Sequence, residues 1–139
     1  MLVLDTNHVV ELGYDSPPGQ RLLRRLDGDP RQQATTVVCA EEQIRGWMAE
    51  LHRVTDPHRQ IPLYHRLQDR IEFYADWLVL PWDEDAADLF VRFRQQRIRI
   101  GTQDLKIACI ALAHSATILT RNLSDFQQVP NLVVENWLD

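Results

Sequence analysis

Five short apolar runs recur along the chain, at residues 2–4, 34–39, 78–80, 117–120 and 132–134. Each is too short for a helix, carries no charge and is bounded by turn residues or a change of pattern. Such runs read as strands buried on both faces. Between them lie stretches with helical spacing. Residues 40–54 carry Ile44, Met48 and Leu51 on one face with Trp47 beside it. Residues 63–76 carry Leu67, Ile71 and Tyr74, and residues 83–97 carry Ala86, Leu89, Phe90 and Phe93 behind Asp83 and Asp85. Shorter helices fit 8–12 and 20–26, with 13–19 between them read as a turn because of Pro17-Pro18. Residues 103–114 are apolar almost all round after Asp104, which predicts a buried helix. Strands alternating with helices predict an α/β fold: one mostly parallel sheet covered by helices on both faces, in three α/β/α layers.

No linker or repeat divides the 139 residues, so the expectation is one domain over 1–139. Hydrophobic residues make up 45% and charged residues 25%, ordinary for a globular chain. No apolar run has the length of a membrane span, and the first residues lack the form of a signal peptide. The expected location is therefore the cytoplasm. Cys39 and Cys109 are isolated within apolar stretches and read as reduced core residues. The net charge of −5 does not announce a nucleic-acid binder, although it averages over faces.

The placement of the acids says more than their number. Asp5 follows the first apolar run directly, with Thr6 and Asn7 behind it. Glu42 falls in the first turn of the helix expected from residue 40, Asp104 in the first turn of the buried helix, and Asp125 just after the fourth run, with Asn122 between. In an open α/β sheet, ligands bind beyond the carboxyl ends of the strands. If the first, second and fourth strands run parallel, these acids share one edge. Carboxylates gathered there repel one another unless a hard cation compensates. Mg²⁺ takes oxygen ligands and can orient a phosphodiester and activate water. Each acid also has an ordinary reading: Asp5, Thr6 or Asn7 as a helix cap, Glu42 and Asp104 as helix-start residues stabilised by the dipole, Asp125 as a loop carboxylate.

The same residues carry a family resemblance. Leu4-Asp5-Thr6-Asn7 resembles the opening signature of PIN-domain ribonucleases. Glu42-Gln43-Ile44-Arg45-Gly46 resembles the Glu-x-x-x-Gly helix start of the VapC-type toxins in that family. Residues 100–108, around Asp104, resemble the third acidic motif; 120–126, from Thr120 through Asn122 to Asp125, resemble the fourth; 134–137 resemble the usual ending. The resemblance implies a five-stranded parallel sheet in the order 3-2-1-4-5, with its switch point between Asp5 and Asn122. It also implies Mg²⁺-dependent endonucleolytic cleavage of RNA, with Mn²⁺ as a substitute, together with dimerisation and a cognate antitoxin partner in a toxin–antitoxin pair. Asp5, Glu42 and Asp104 are then the metal ligands and catalytic acids. Asp125 fills the fourth position, directly or through water, with Asn122 and Thr120 as polar support and Thr6 orienting Asp5 or a metal-bound water.

Other residues offer weaker sites. The histidines, His8 included, show no zinc-ligand spacing and read as surface or capping residues. The run from Arg92 to Arg99 reads as a solvated helix face; because it leads into the Asp104 motif, Arg94, Arg97 and Arg99 are candidates for guiding RNA. Trp47, Met48 and Leu51 read as core, with any apolar surface there available to an antitoxin. Two alternatives stand beside the nuclease. A receiver-like phosphoacceptor domain also gathers acids and Mg²⁺ at strand ends, but needs a lysine just after a late strand, whereas Lys106, the only lysine, lies on the helix that begins near Asp104. A non-catalytic PIN-like binding module would usually have lost acids that this chain keeps.

Overall fold

The computed structural model describes residues 1–139. In chain order the elements are β1 (Leu2–Leu4), α1 (Thr6–Leu12), α2 (Pro17–Asp27), β2 (Gln33–Thr36), α3 (Val37–Arg53), α4 (Gln60–Asp76), β3 (Val79–Leu80), α5 (Glu84–Gln95), α6 (Thr102–Ala113), β4 (Thr117–Leu119), α7 (Leu123–Phe126) and β5 (Val133–Glu135). The strands form one sheet in the order β3-β2-β1-β4-β5, and every neighbouring pair is parallel. The expected α/β fold and strand order are therefore observed. No helix is long and apolar enough to cross a membrane.

β1 is the central strand, with Leu2 aligned to Gln33 on one side and Thr117 on the other. Its three residues are fully buried because both faces are covered. The period-two alternation sends Val3 into one core with Cys39, Phe93, Ile107 and Ile118. It sends Leu2 and Leu4 into a second core with Val9, Leu22, Leu26 and Trp137. Burying a leucine side chain of this kind stabilises the fold by about 1.5–3 kcal/mol. α6 is buried along Leu105, Ile107, Ala108, Cys109, Ile110 and Ala111, as its all-round apolar sequence predicts. Both cysteines are free and buried.

The three largest departures from the sequence reading each have a local reason. Residues 34–39 do not form one strand. The Thr36 hydroxyl accepts the Cys39 backbone N–H at 3.1 Å, and this cap starts α3 at Val37 despite the β-branched pair that follows. The turn expected at 13–19 is half helix: the Ser16 hydroxyl caps Gly19 N–H at 3.1 Å, and the prolines at the first two positions favour a helix start. Gly19 is required there, since a Cβ would lie 2.3 Å from the Glu11 carbonyl oxygen. α4 starts at Gln60 instead of 63, with Pro62 tolerated in its first turn.

Candidate active site

The strand order reverses between β1 and β4, and Asp5 stands at that point. It is 4% exposed. Its backbone N–H donates to the Leu119 carbonyl at 2.9 Å, which carries the β1–β4 ladder to the carboxyl edge and sets Thr120 beside it. Asp5 Oδ1 accepts the Thr6 backbone N–H at 2.7 Å, while Oδ2 accepts the Thr120 hydroxyl at 2.7 Å and the Asn7 amide at 3.3 Å. Asp5 is thus the N-cap of α1 as well as a candidate site residue, and neither Thr6 nor Asn7 is the cap. The cap fixes the direction of the carboxylate.

Glu42 lies in the second turn of α3, because the helix begins earlier than the sequence suggests; no acid occupies the first turn. The dipole reading for Glu42 therefore does not apply. Glu42 Oε2 accepts the Thr6 hydroxyl at 2.8 Å. The Thr6 side chain consequently orients Glu42, and Thr6 touches Asp5 only through its backbone. Asp104 is the third residue of α6, as expected. Gln103 beside it donates to Glu41 at 2.8 Å, tying the start of α6 to α3. The Asn122 side-chain amide donates to Asp104 Oδ2 at 3.2 Å and to Asp125 Oδ2 at 2.9 Å. Its backbone N–H donates to the Thr120 hydroxyl oxygen at 3.1 Å. Asn122 therefore bridges two acids and, through Thr120, links them to the Asp5 group.

The electrostatics follow from this crowding. Burial pushes the Asp5 carboxyl up from 3.8 to about 6; hydrogen bonds from Thr120 and Thr6 oppose the shift, and the charges of Asp104 and Glu42 add to it. Burial also raises Glu42, against the Thr6 hydrogen bond and with Asp104 adding. Asp104 is raised by burial, opposed by Asn122 and reinforced by Asp125. Three acids held above their ordinary range by burial and mutual repulsion form a site that a cation would relax.

The donor set suits a hard divalent ion, since it offers only oxygens. Each orienting hydrogen bond takes one oxygen of its acid, Glu42 Oε2, Asp104 Oδ2 or Asp125 Oδ2, and leaves the other without a hydrogen-bond partner. The side chains do not form a ready-made cage, as no three His, Cys, Asp or Glu residues stand together at metal-holding geometry. The chemistry of the residues fits the ion, and their carboxylates would have to turn to meet it.

Other sequence candidates fall in different places. The Arg94 guanidinium donates to the Ile98 and Ile100 carbonyls at 3.1 and 3.2 Å and to the Thr102 hydroxyl at 3.2 Å. It holds the loop before α6, while Arg97 and Arg99 are exposed. Arg97 has φ 61°, closing the turn after α5. Met48 is exposed and Trp47 half-buried, so of the expected core trio only Leu51 is core. A groove of about 420 Å³ beside Glu42 includes Thr6, Val10, Tyr14, Gly46 and Trp47 in its lining. Lys106 lies within α6 and not just after a late strand, with its ammonium 5.7 Å from the Trp82 ring centroid, which speaks against the receiver-like alternative. His8 is fully buried rather than at the surface. Sequence reasoning also missed Arg121, which bonds Glu11 and Asp139, both at 3.3 Å; no local pattern marks a loop arginine whose partners lie so far away in the chain.

Comparison with known proteins agrees with this geometry. A family model described as PIN domain matches residues 2–132. VapC ribonuclease Y4jK of Sinorhizobium fredii is 28% identical over 141 residues, covering 99% of this chain and 98% of that protein. Ribonuclease VapC2 of Rickettsia felis is 42% identical over 50 residues, 36% of this chain and 37% of that relative, so this chain spans little more than a third of it. Among solved structures, VapBC-1 from nontypeable Haemophilus influenzae superposes with a TM-score of 0.76 at 23% identity, covering 99% of this chain and 98% of the other. The structure of FitAB bound to a DNA fragment gives 0.73 at 23% identity, covering 100% and 96%. At such identity the structural likeness speaks for the fold; the family match covers residues 2–132, and this chain belongs to the PIN-domain family.

Proposed function

We propose that the chain is a metal-dependent endoribonuclease, the toxin of a toxin–antitoxin pair, acting in the cytoplasm as a single catalytic domain. The observation that carries this reading is the set of four acids at one sheet edge, each oriented by a side-chain hydrogen bond: Asp5 by Thr120, Glu42 by Thr6, and Asp104 and Asp125 together by Asn122. The curated relatives are named VapC ribonucleases, which supports RNA as the substrate. PIN-family membership carries a divalent cation with it; Mg²⁺, with Mn²⁺ as a substitute, is our choice for a site of oxygen ligands. Asp5, Glu42 and Asp104 would hold the ion, with Asp125 as a further acid, directly or through water. A bound divalent ion supplies charge neutralisation for the phosphodiester and activates water near neutral pH.

The protein's own residues do the positioning. Thr120 and Asn7 fix Asp5, Thr6 fixes Glu42, and Asn122 fixes both Asp104 and Asp125. Arg97 and Arg99, exposed just before α6, would draw the RNA backbone toward the acids. Several solved relatives are titled as VapBC or FitAB complexes, which supports a cognate antitoxin partner. The groove beside Glu42 and the exposed Met48 on α3 give it apolar surface to cover. A homodimer is the assembly we propose, to be checked by sedimentation.

The test is cleavage of cellular RNA by the purified chain with Mg²⁺, with Mn²⁺ and with chelator. Cleavage should need the metal and vanish in Asp5→Ala and Asp104→Asn proteins that still fold. Cleavage retained in both variants would refute the site. Inertness with every RNA would leave the non-catalytic module as the reading. Sequencing RNA ends after brief expression would identify the target among transfer, ribosomal and messenger RNA.

A further inference from the structure

The proposed chemistry leaves one buried polar residue unused. His8 lies three residues past Asp5 on α1 and is fully buried. Its Nε2 faces the backbone N–H of Trp137 at 3.2 Å. A backbone N–H can only donate, so Nε2 accepts and the ring proton sits on Nδ1. Nδ1 lies 2.7 Å from Asn7 Oδ1, so Nδ1–H donates there. Asn7 Oδ1 also accepts the Arg121 backbone N–H at 3.3 Å. Two donors on Oδ1 fix the amide, because a flipped amide would set its NH₂ against both. The NH₂ therefore points the other way, to Asp5 Oδ2 at 3.3 Å and Thr120 Oγ1 at 3.5 Å.

The far end of this chain of contacts is a docked tail. The Glu135 carbonyl accepts the Thr120 N–H at 2.9 Å. Trp137 and Leu138 are buried in the core that holds Leu4, and Arg25 lies 3.9 Å over the Trp137 ring. These residues lie beyond the family match, which ends at residue 132. A leucine or phenylalanine at position 8 would fill the same space without the cost of desolvating an imidazole.

We infer that His8 is a positioning residue: it joins the docked tail at Trp137 to the Asn7 amide, and so fixes the orientation of Asp5 for cation binding. The inference rests on the proposed role of Asp5. A ring held between Trp137 and Asn7 gives Asp5 Oδ2 a second side-chain donor beside Thr120, while the Thr6 backbone N–H holds Oδ1. Without the His8 donor only Arg121 restrains the Asn7 amide, and its contact with Asp5 weakens.

Nitrogen-15 NMR of the metal-free protein tests the geometry, with the Nδ1–H tautomer expected. His8→Phe removes both hydrogen bonds at similar volume. Calorimetric Mg²⁺ affinity and kcat on RNA should each fall by about 10- to 100-fold, as for other groups that orient metal ligands, with KM for RNA unchanged. His8→Asn restores a donor near Asn7 and should recover most of the loss; His8→Gln restores only an acceptor for Trp137 and should not. These two variants decide the matter if His8→Phe does not fold. The Nε2–H tautomer, wild-type affinity in His8→Phe, or equal losses in His8→Asn and His8→Gln that track their melting temperatures would overturn the inference. A wild-type chain that neither binds Mg²⁺ nor cleaves RNA overturns the proposed function instead, and the tautomer still decides the His8 geometry.

Discussion

Asp5→Asn should make the metal-free protein more stable while removing its response to metal. In the fold the Asp5 carboxyl is raised from 3.8 to about 6, first by burial and then by Asp104 and Glu42. A folded value above the unfolded one means that the fold favours the protonated acid. That contribution is fully present below about pH 4 and is lost as pH rises through 6. At pH 8 the charged carboxylate therefore costs about 3 kcal/mol relative to a neutral group. Asparagine removes the charge. It keeps the oxygen that caps Thr6 and turns its NH₂ toward Thr120, whose hydroxyl can rotate to accept. The Asn7 amide loses its acceptor, at about 1 kcal/mol. The net gain is about 1–2 kcal/mol, which for a chain of this length raises Tm by about 3–8 °C. Scanning calorimetry at pH 8 in chelator would measure it. The advantage should vanish near pH 4, and millimolar Mg²⁺ should raise the wild-type Tm but not the variant's. A variant less stable than wild type at pH 8, with a difference that does not change down to pH 4, would refute the claim that Asp5 is held charged at a cost.

Thr6→Val removes the hydroxyl that orients Glu42 and should weaken Mg²⁺ affinity about 10- to 100-fold by calorimetry, with the fold intact. Burial lowers His8 from 6.5 to about 4. The neutral ring's contribution is fully present above pH 6.5 and is lost as pH falls through 4. In an Asp5→Asn background, stability should drop by up to about 3 kcal/mol over that window, and His8→Phe should flatten the drop. Gly19→Ala meets the Glu11 carbonyl oxygen at 2.3 Å and should destabilise by about 1–3 kcal/mol. Gly46→Ala has nothing within 4 Å of the new methyl and should stabilise the free chain by about 0.8–1.0 kcal/mol. Thermal melts of the two glycine variants should therefore move in opposite directions.

The sheet was legible because burial on both faces leaves a plain signal: Leu2, Val3 and Leu4 form a continuous apolar run, and α6 is apolar on every side. The strand order came from the family resemblance that the ordered acidic motifs carry, since short apolar runs do not say which pairs with which. Element boundaries were hidden where a cap competes with propensity. Val37 and Val38 read as strand until the Thr36 hydroxyl is seen to close a helix over them, and the prolines after Ser16 mark a helix start as readily as a turn. Within the candidate site, the four acids and their polar neighbours Thr6, Thr120 and Asn122 could be named from the sequence, but not which neighbour bonds which acid. Thr6 serves Glu42 and not the acid next to it, and Asn122 serves two acids at once. His8 was hidden because its partner Trp137 is at the other end of the chain, and Arg121 for a similar reason.

The docked tail also bears on when the site comes into being. Asp5 leaves the ribosome more than a hundred residues ahead of its hydroxyl donor, Thr120, and the Trp137 backbone that seats His8 comes later still. β1 cannot complete its ladder to β4 until Thr117 through Leu119 have been made. A nascent chain therefore carries its central acid without the groups that hold it in place. If the proposed function holds, this order of synthesis keeps the site unfinished until Thr120 and Trp137 have been made.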